Sequence, residues 1–121
     1  MTQPKQALLV IDVQNDFSPG GALAVPHGDE VVEPLNKLID QFLERGAPVY
    51  KSRDWHPPVT KHFAAYGGTW PVHCVQDTAG AQLHPDLDAA AVVQIVAVAV
   101  LATFGMTIRQ LPCRTLPLAD V

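Results

Sequence analysis

The chain has 121 residues, a formal net charge of -4 and a hydrophobic fraction of 48%, which together fit one domain with a buried core. These values argue against wholesale disorder, and the lack of a basic patch argues against nucleic acid as a partner. With two cysteines and no signal-peptide pattern at the N-terminus, the sequence predicts a reducing, cytoplasmic location.

A βαβ unit is predicted in the first half of the chain. Residues 6–11 form a continuous apolar run, which is typical of a central parallel strand covered on both faces. Asp29 and Glu30 then begin a helix that Gly46 ends, and residues 48–52 form a second strand. Strand, helix and strand in this order indicate a parallel sheet with a right-handed crossover. The apolar face of the helix is predicted from residues at helical spacing: Val31, Leu35, Leu38, Ile39 and Phe42.

A second apolar run covers residues 89–104 and is interrupted only by Gln94 and Thr103. A membrane span needs about 18 to 20 apolar residues, usually with charged flanks. This run is short for that purpose and rich in Val and Ala. We therefore expect a buried strand with flanking residues, and a membrane helix is the minor alternative.

Polar side chains follow both predicted strands of the βαβ unit. Asp12 ends the first strand, and Asp54 and His56 follow the second, so they should meet at the carboxyl edge of the sheet. His62 and His73 lie further along the same loop, which Gly67-Gly68 allows to fold back. One carboxylate with two or three imidazoles is a suitable ligand set for a divalent metal. The alternative is that these are surface histidines in a polar loop.

Four nearby residues each have two interpretations. Asp12 is either a general base with a raised pKa or the acceptor in an Asx turn. The aromatic rings of Phe17 and Trp70 either fix their loops to the core or form the walls of a pocket. Cys74 adjoins His73, but neighbours on an extended chain point to opposite sides, so a buried structural thiol is favoured over a Cys–His pair.

Three motifs are familiar. Residues 9–17, LVIDVQNDF, resemble the opening of the isochorismatase-like cysteine hydrolases. Residues 52–58, SRDWHPP, and residues 70–75, WPVHCV, narrow the resemblance to the nicotinamidases. The resemblance covers residues 7–87 and implies a three-layer αβα fold with a mostly parallel sheet, truncated at the C-terminus. Residues 1–121 would then be one incomplete domain with an atypical tail over 88–121.

The resemblance also implies a function, namely the hydrolysis of nicotinamide to nicotinate and ammonia in NAD salvage. One divalent ion, Zn, Fe or Mn, would be the cofactor and nicotinamide the small-molecule partner. No nucleic acid or membrane would be bound, and assembly into a homo-oligomer is left open. The roles implied by position are Asp12 as catalytic acid/base, Asp54, His56 and His73 as metal ligands, His62 as an additional ligand, and Phe17 and Trp70 as walls around the pyridine ring.

The nucleophilic cysteine and the lysine of that family are not recognisable. No lysine follows Lys61, and Cys113 lacks the small-residue turn expected before the nucleophile. The activity is therefore expected to be impaired. Two alternatives are a catalytically inactive protein that binds metal and pyridines, and another isochorismatase-like hydrolase, for which the metal ligands would be idle.

A frameshift would account for the atypical tail. Family members often have a segment resembling Ala-Thr-Phe-Arg-Asp-Asp-Tyr-Ser, and here residues 102–104 are Ala-Thr-Phe. The next five residues can be coded so that one added C after the Phe104 codon restores Arg-Asp-Asp-Tyr-Ser. We expect resequencing of the gene to find a missing base near this codon. An intact frame there would contradict the hypothesis.

Overall fold

The computed structural model describes residues 5–90 and 92–94. Cys113 and most of the predicted tail lie outside the described residues. The elements are β1 (Leu8–Val10), α1 (Val32–Glu44), β2 (Val49–Lys51) and β3 (Val93–Gln94), with 3-10 turns at Asn15–Phe17, Gly28–Val31 and Ala64–Tyr66.

The three strands form one parallel sheet in the order β1-β2-β3. Leu8 pairs with Val49 in β2, so the predicted βαβ unit and its parallel pairing are confirmed. β3 lies within the second apolar run, where a strand was predicted, and the rest of that run lies outside the described residues. No helix in the described part of the chain is long and apolar enough to cross a membrane.

Helix α1 packs against β1 and β2 with one apolar face. Ile39 is 1% exposed, and Leu35 and Phe42 pack against the same core, as predicted. The prediction was wrong for Val31 and Leu38, which are 46% and 39% exposed, because Val32 faces the core instead. Residues 28–31 form a 3-10 turn with about three residues per turn, so the helical phase starts later than the sequence pattern suggested.

Within residues 5–90 and 92–94, strand β1 is covered on one face only. Val10 is buried against the helix, whereas Leu9 and Ile11 on the opposite face are 59% and 66% exposed. Within the described residues β1 also has a single neighbour, β2. The expectation of a central strand covered on both faces was therefore wrong for the described residues.

Replacing Ile39 by Ala should strongly destabilise the fold, because it removes buried methyl and methylene groups from the contact between α1 and the sheet. We expect a loss of about 2 to 5 kcal/mol in the free energy of unfolding. Leu38→Ala is the matched control, since Leu38 is adjacent but exposed, and it should cost less than about 1 kcal/mol. Urea unfolding followed by circular dichroism measures both, and equal losses would contradict this packing.

Candidate active site

The backbones of Asp12 and Ser52 continue the hydrogen bonding between β1 and β2 beyond the ends of the two strands. The Ser52 N–H donates to the Val10 carbonyl at 2.9 Å, and the Asp12 N–H donates to the Ser52 carbonyl at 3.3 Å. The Ser52 hydroxyl also donates to Oδ1 of Asp12 at 2.7 Å. One oxygen of the Asp12 carboxylate is therefore held by the neighbouring strand.

The surroundings of Asp12 suit a proton acceptor. Burial raises the pKa of its carboxyl group, the hydrogen bond from Ser52 lowers it in part, and the Asp54 carboxylate raises it again. Among the described residues its side chain bonds only to Ser52, which does not support the Asx-turn alternative. Its φ of 53° is uncommon for a residue with a side chain, and such strained positions are concentrated at functional sites.

The loop after β2 folds back as expected and brings two histidines together. The His56 N–H donates to the Cys74 carbonyl at 2.8 Å, and the Gln76 N–H donates to the His56 carbonyl at 2.8 Å. This short parallel bridge places His73, the residue before Cys74, beside His56. Gly67 in the intervening turn has a φ of 93°, and a side chain at Gly68 would collide with the His62 carbonyl, so both glycines are needed.

Asp54, His56 and His73 form a three-ligand group. Their candidate ligand atoms all lie within 4.8 Å of one another, and both histidines are buried. Nε2 of His56 is 2.9 Å and Nε2 of His73 is 3.2 Å from the same oxygen, Oδ2 of Asp54. These spacings place the three donor atoms close enough to be ligands of a single divalent ion.

The hydrogen bond of His73 indicates which of its nitrogens is free. Nδ1 lies 2.7 Å from the Pro71 carbonyl, which can only accept, so Nδ1 carries the proton of the neutral ring. Nε2 is the nitrogen that faces the Asp54 carboxylate, at 3.2 Å from Oδ2. A ring nitrogen held beside a carboxylate in this way can bind a cation together with it, so the residues present fit a divalent ion.

His56 is also suited to ligation. Burial is the largest cause that lowers the pKa of its ring, which favours the neutral, metal-binding form. Nε2 is the ring nitrogen that faces Asp54, at 2.9 Å from Oδ2, so it is the candidate ligand atom. Nδ1 points elsewhere and is buried with no hydrogen-bond partner among the described residues, which costs about 1 to 3 kcal/mol.

Four other ring-bearing residues surround this group. The ring of His62 lies 5.3 Å from that of His56, but His62 is not part of the three-ligand group, and its role as an additional ligand stays a prediction. Phe17 and Trp70 lie 5.9 and 6.4 Å from the ring of His73. Phe63, which the sequence interpretation missed, is fully buried and packs against the rings of His56 and His73.

Cys74 is placed as a structural thiol. It is fully buried, and desolvation together with the carboxylates of Asp54, Asp16 and Asp12 raises its pKa to about 12. Its backbone has a φ of 44°, and its N–H donates to Oδ2 of Asp16 at 2.7 Å. The expectation of a buried thiol is in keeping with this environment, which opposes formation of a nucleophilic thiolate.

Asp16 is a second residue that the sequence interpretation missed. Its two carboxylate oxygens accept the N–H groups of Cys74 at 2.7 Å and Ala22 at 3.1 Å. A side chain at Gly80 would collide with this carboxylate, so the glycine is required by the close approach. The one available signal was the cluster of polar residues at 14, 15 and 16 shortly after the first strand and Asp12.

Comparison with known proteins identifies the family. The isochorismatase domain profile matches residues 6–99. The chain belongs to the isochorismatase domain family. The nicotinamidase of Escherichia coli K12 is 45% identical, and the alignment covers 76% of this chain and 50% of that protein. The resemblance to nicotinamidases inferred from the motifs is thereby confirmed.

Solved structures of family members agree in fold. Pyrazinamidase of Pyrococcus horikoshii in complex with zinc superimposes with a TM-score of 0.70 at 47% identity, covering 77% of this chain and 51% of that one. PnC1 of L. infantum in complex with nicotinate gives a TM-score of 0.68 at 38% identity, covering 74% and 46%. The isochorismatase-like α/β fold is therefore confirmed, and the chain spans about half the length of the relatives it matches.

The buried position of Cys74 predicts slow alkylation in the folded chain. At pH 8 a thiol with a pKa of about 12 is ionised to roughly one part in ten thousand, and Cys74 is also inaccessible. Iodoacetamide should therefore label Cys74 at least a hundredfold faster in urea than in buffer, as read by peptide mass spectrometry. Equal rates in the two solutions would refute the assignment of a structural thiol.

The raised pKa of Cys74 also makes the stability of the fold depend on pH. The folded state holds the thiol proton more tightly than the unfolded state, whose thiol has a pKa near 9.0. The contribution of Cys74 to stability is thus complete below about pH 9 and is lost as the pH rises towards 12.

Proposed function

We propose that this chain carries the metal-binding and proton-accepting half of a nicotinamidase-type amidohydrolase. The observation that carries the proposal is the three-ligand group of Asp54, His56 and His73 lying beside Asp12 at one edge of a parallel sheet. The reaction would be hydrolysis of nicotinamide to nicotinate and ammonia. Relatives named as nicotinamidases and a family structure in complex with nicotinate support this choice of substrate.

The ion would be held by Asp54 Oδ2 and by the Nε2 atoms that His56 and His73 direct towards it. Zinc is supported by the zinc complex of the related pyrazinamidase, while the donor set also suits iron and manganese. When bound, the ion supplies a Lewis-acidic point of attachment for the ring nitrogen of a pyridine. We include His62 as an additional ligand, since its ring lies 5.3 Å from that of His56.

Asp12 would accept the proton of the nucleophile. Its raised pKa brings it closer to the operating pH of a general base, and Ser52 fixes one oxygen so that the other stays available. Phe17 and Trp70 would enclose the flat ring of the substrate, since both lie beside His73. Trp70 is 53% exposed, which leaves its face accessible to a ligand.

The chemical step also needs a nucleophile, and the described residues do not provide a suitable one. Cys74 is the one cysteine in that part of the chain, and its thiol is buried with a pKa raised to about 12. For this chain taken alone we therefore favour binding of the metal and of nicotinamide without turnover. We assign it to the cytoplasm and to NAD salvage. The whole family reaction would require a cysteine thiolate next to Asp12.

Metal analysis run beside an ammonia-release assay with nicotinamide tests the proposal. We expect one equivalent of metal per purified chain and no ammonia above background. Asp54→Asn and His73→Ala should each reduce the bound metal at least tenfold, because each removes one of three ligands. His84→Ala is the matched control, since His84 is not part of the three-ligand group, and it should keep the metal.

Two other outcomes would contradict the proposal. Ammonia release by the parent would contradict the prediction of no turnover, and substitution of Cys74 and of Cys113 in turn would show which thiol attacks. A parent that is folded by circular dichroism but binds no Zn²⁺, Fe²⁺ or Mn²⁺ would refute the metal centre itself.

A further inference from the structure

Gln14 has a side chain that is fully buried and fully hydrogen-bonded. Its Oε1 accepts the N–H of Asp54 at 2.7 Å, and its Nε2 donates to the carbonyl of the same residue at 2.8 Å. Nε2 donates a second time to the carbonyl of Ala81 at 2.8 Å. Both amide protons and the amide oxygen are therefore used, and two of the three bonds go to the backbone of one metal-ligand residue.

The side-chain amide of Gln14 pairs with Asp54 as a neighbouring strand would. Among the described residues no main-chain group bonds to the N–H or the carbonyl of Asp54, which lies in the loop beyond β2. The side chain of Gln14 thus makes both of the backbone hydrogen bonds that a neighbouring strand would make to Asp54. These bonds fix the backbone of Asp54, and therefore the position from which its carboxylate extends towards His56 and His73.

Gln14 is itself held firmly by its own backbone. It forms an isolated antiparallel bridge with Leu83, and its carbonyl accepts the N–H of Phe17 and the hydroxyl of Ser18, both at 3.1 Å. The clamp on Asp54 is therefore anchored in the segment that follows β1, two residues after Asp12. The side chain of Gln14 therefore connects the segment that carries Asp12, the candidate base, to the backbone of Asp54, the candidate metal ligand.

We propose that Gln14 is a positioning residue for the metal centre, which sets the affinity for the ion by fixing the backbone of Asp54. The inference rests on the proposed metal site and adds to it a residue outside the ligand set. Groups that orient ligands in this way typically change metal affinity by about 10- to 100-fold when they are removed. A purely structural glutamine would change stability without this specific effect on the metal.

The test compares two changes at Gln14 with a matched change at its neighbour. Gln14→Glu keeps the shape but loses the amide donors, and Gln14→Met removes all three hydrogen bonds. Asn15→Asp is the control, since the Asn15 amide donates to the Ala79 carbonyl at 2.8 Å in the same segment but contacts no metal ligand. Co²⁺ titration of the full chain, followed by its visible absorption bands, and chelator competition with Zn²⁺ measure the affinities.

Both Gln14 variants should bind Co²⁺ and Zn²⁺ about 10- to 100-fold more weakly, with altered Co²⁺ absorption bands, whereas Asn15→Asp should bind like the parent. Ile39→Val serves as a second control, because it weakens a core cluster that contains none of the three candidate ligands and should leave the metal affinity unchanged. Parent-like affinity and spectra in a folded Gln14 variant would overturn the proposal. No binding by the parent would instead refute the metal centre and, with it, this role.

A measurement on the unchanged chain keeps the inference testable if both Gln14 variants fail to fold. The Asp54 amide should exchange its proton with solvent far more slowly than the amides of Arg53 and Trp55, since these neighbours have no hydrogen-bond acceptor among the described residues. Hydrogen exchange followed by NMR gives all three rates. An Asp54 rate equal to those of its neighbours would show that the clamp is not formed.

Discussion

The parallel pairing of β1 with β2 is the constraint on which the site depends. Because the carboxyl ends of parallel strands meet at the same edge of a sheet, Asp12 and Asp54, which lie two and three residues beyond β1 and β2, are brought to one place without a hydrogen bond between them. The pairing continues past the strands through the backbone of Ser52, whose hydroxyl then reaches Asp12. Helix α1 makes this arrangement rigid by burying Val10 and Ile39 in the same core.

Beyond the sheet, regular structure ends and individual side chains replace it. The loop that carries the ligands has few strand or helix hydrogen bonds, so its backbone polar groups need other partners. The segment after β1 supplies them, since Gln14 binds the backbone of Asp54 and Asp16 binds the N–H of Cys74. Each contact ends at or next to a candidate metal ligand. A short polar segment thus fixes both ends of the ligand loop from one side.

The sequence was sufficient to predict the elements and to propose candidate metal ligands. It was insufficient to predict the side chains that hold those candidate ligands in place. Periodicity located β1, α1 and β2, and the order of residues after the strands indicated Asp12, Asp54, His56 and His73. The helix phase was misjudged at Val31 and Leu38 because the 3-10 turn before α1 depends on local hydrogen bonds. Gln14, Asp16 and Phe63 were missed because their roles depend on contacts 40 to 67 residues away or on packing, which no local pattern records.

Burial and a group of carboxylates together account for what the site favours and what it opposes. Desolvation is the largest cause that raises the pKa of Cys74, and the carboxylates of Asp54, Asp16 and Asp12 raise it further. A negative potential of this kind would stabilise a divalent cation between Asp54 and the two histidines, and it opposes ionisation of a thiol at the same depth. The thiol of Cys74 is therefore kept neutral by the same carboxylates that would attract a cation to the three-ligand group.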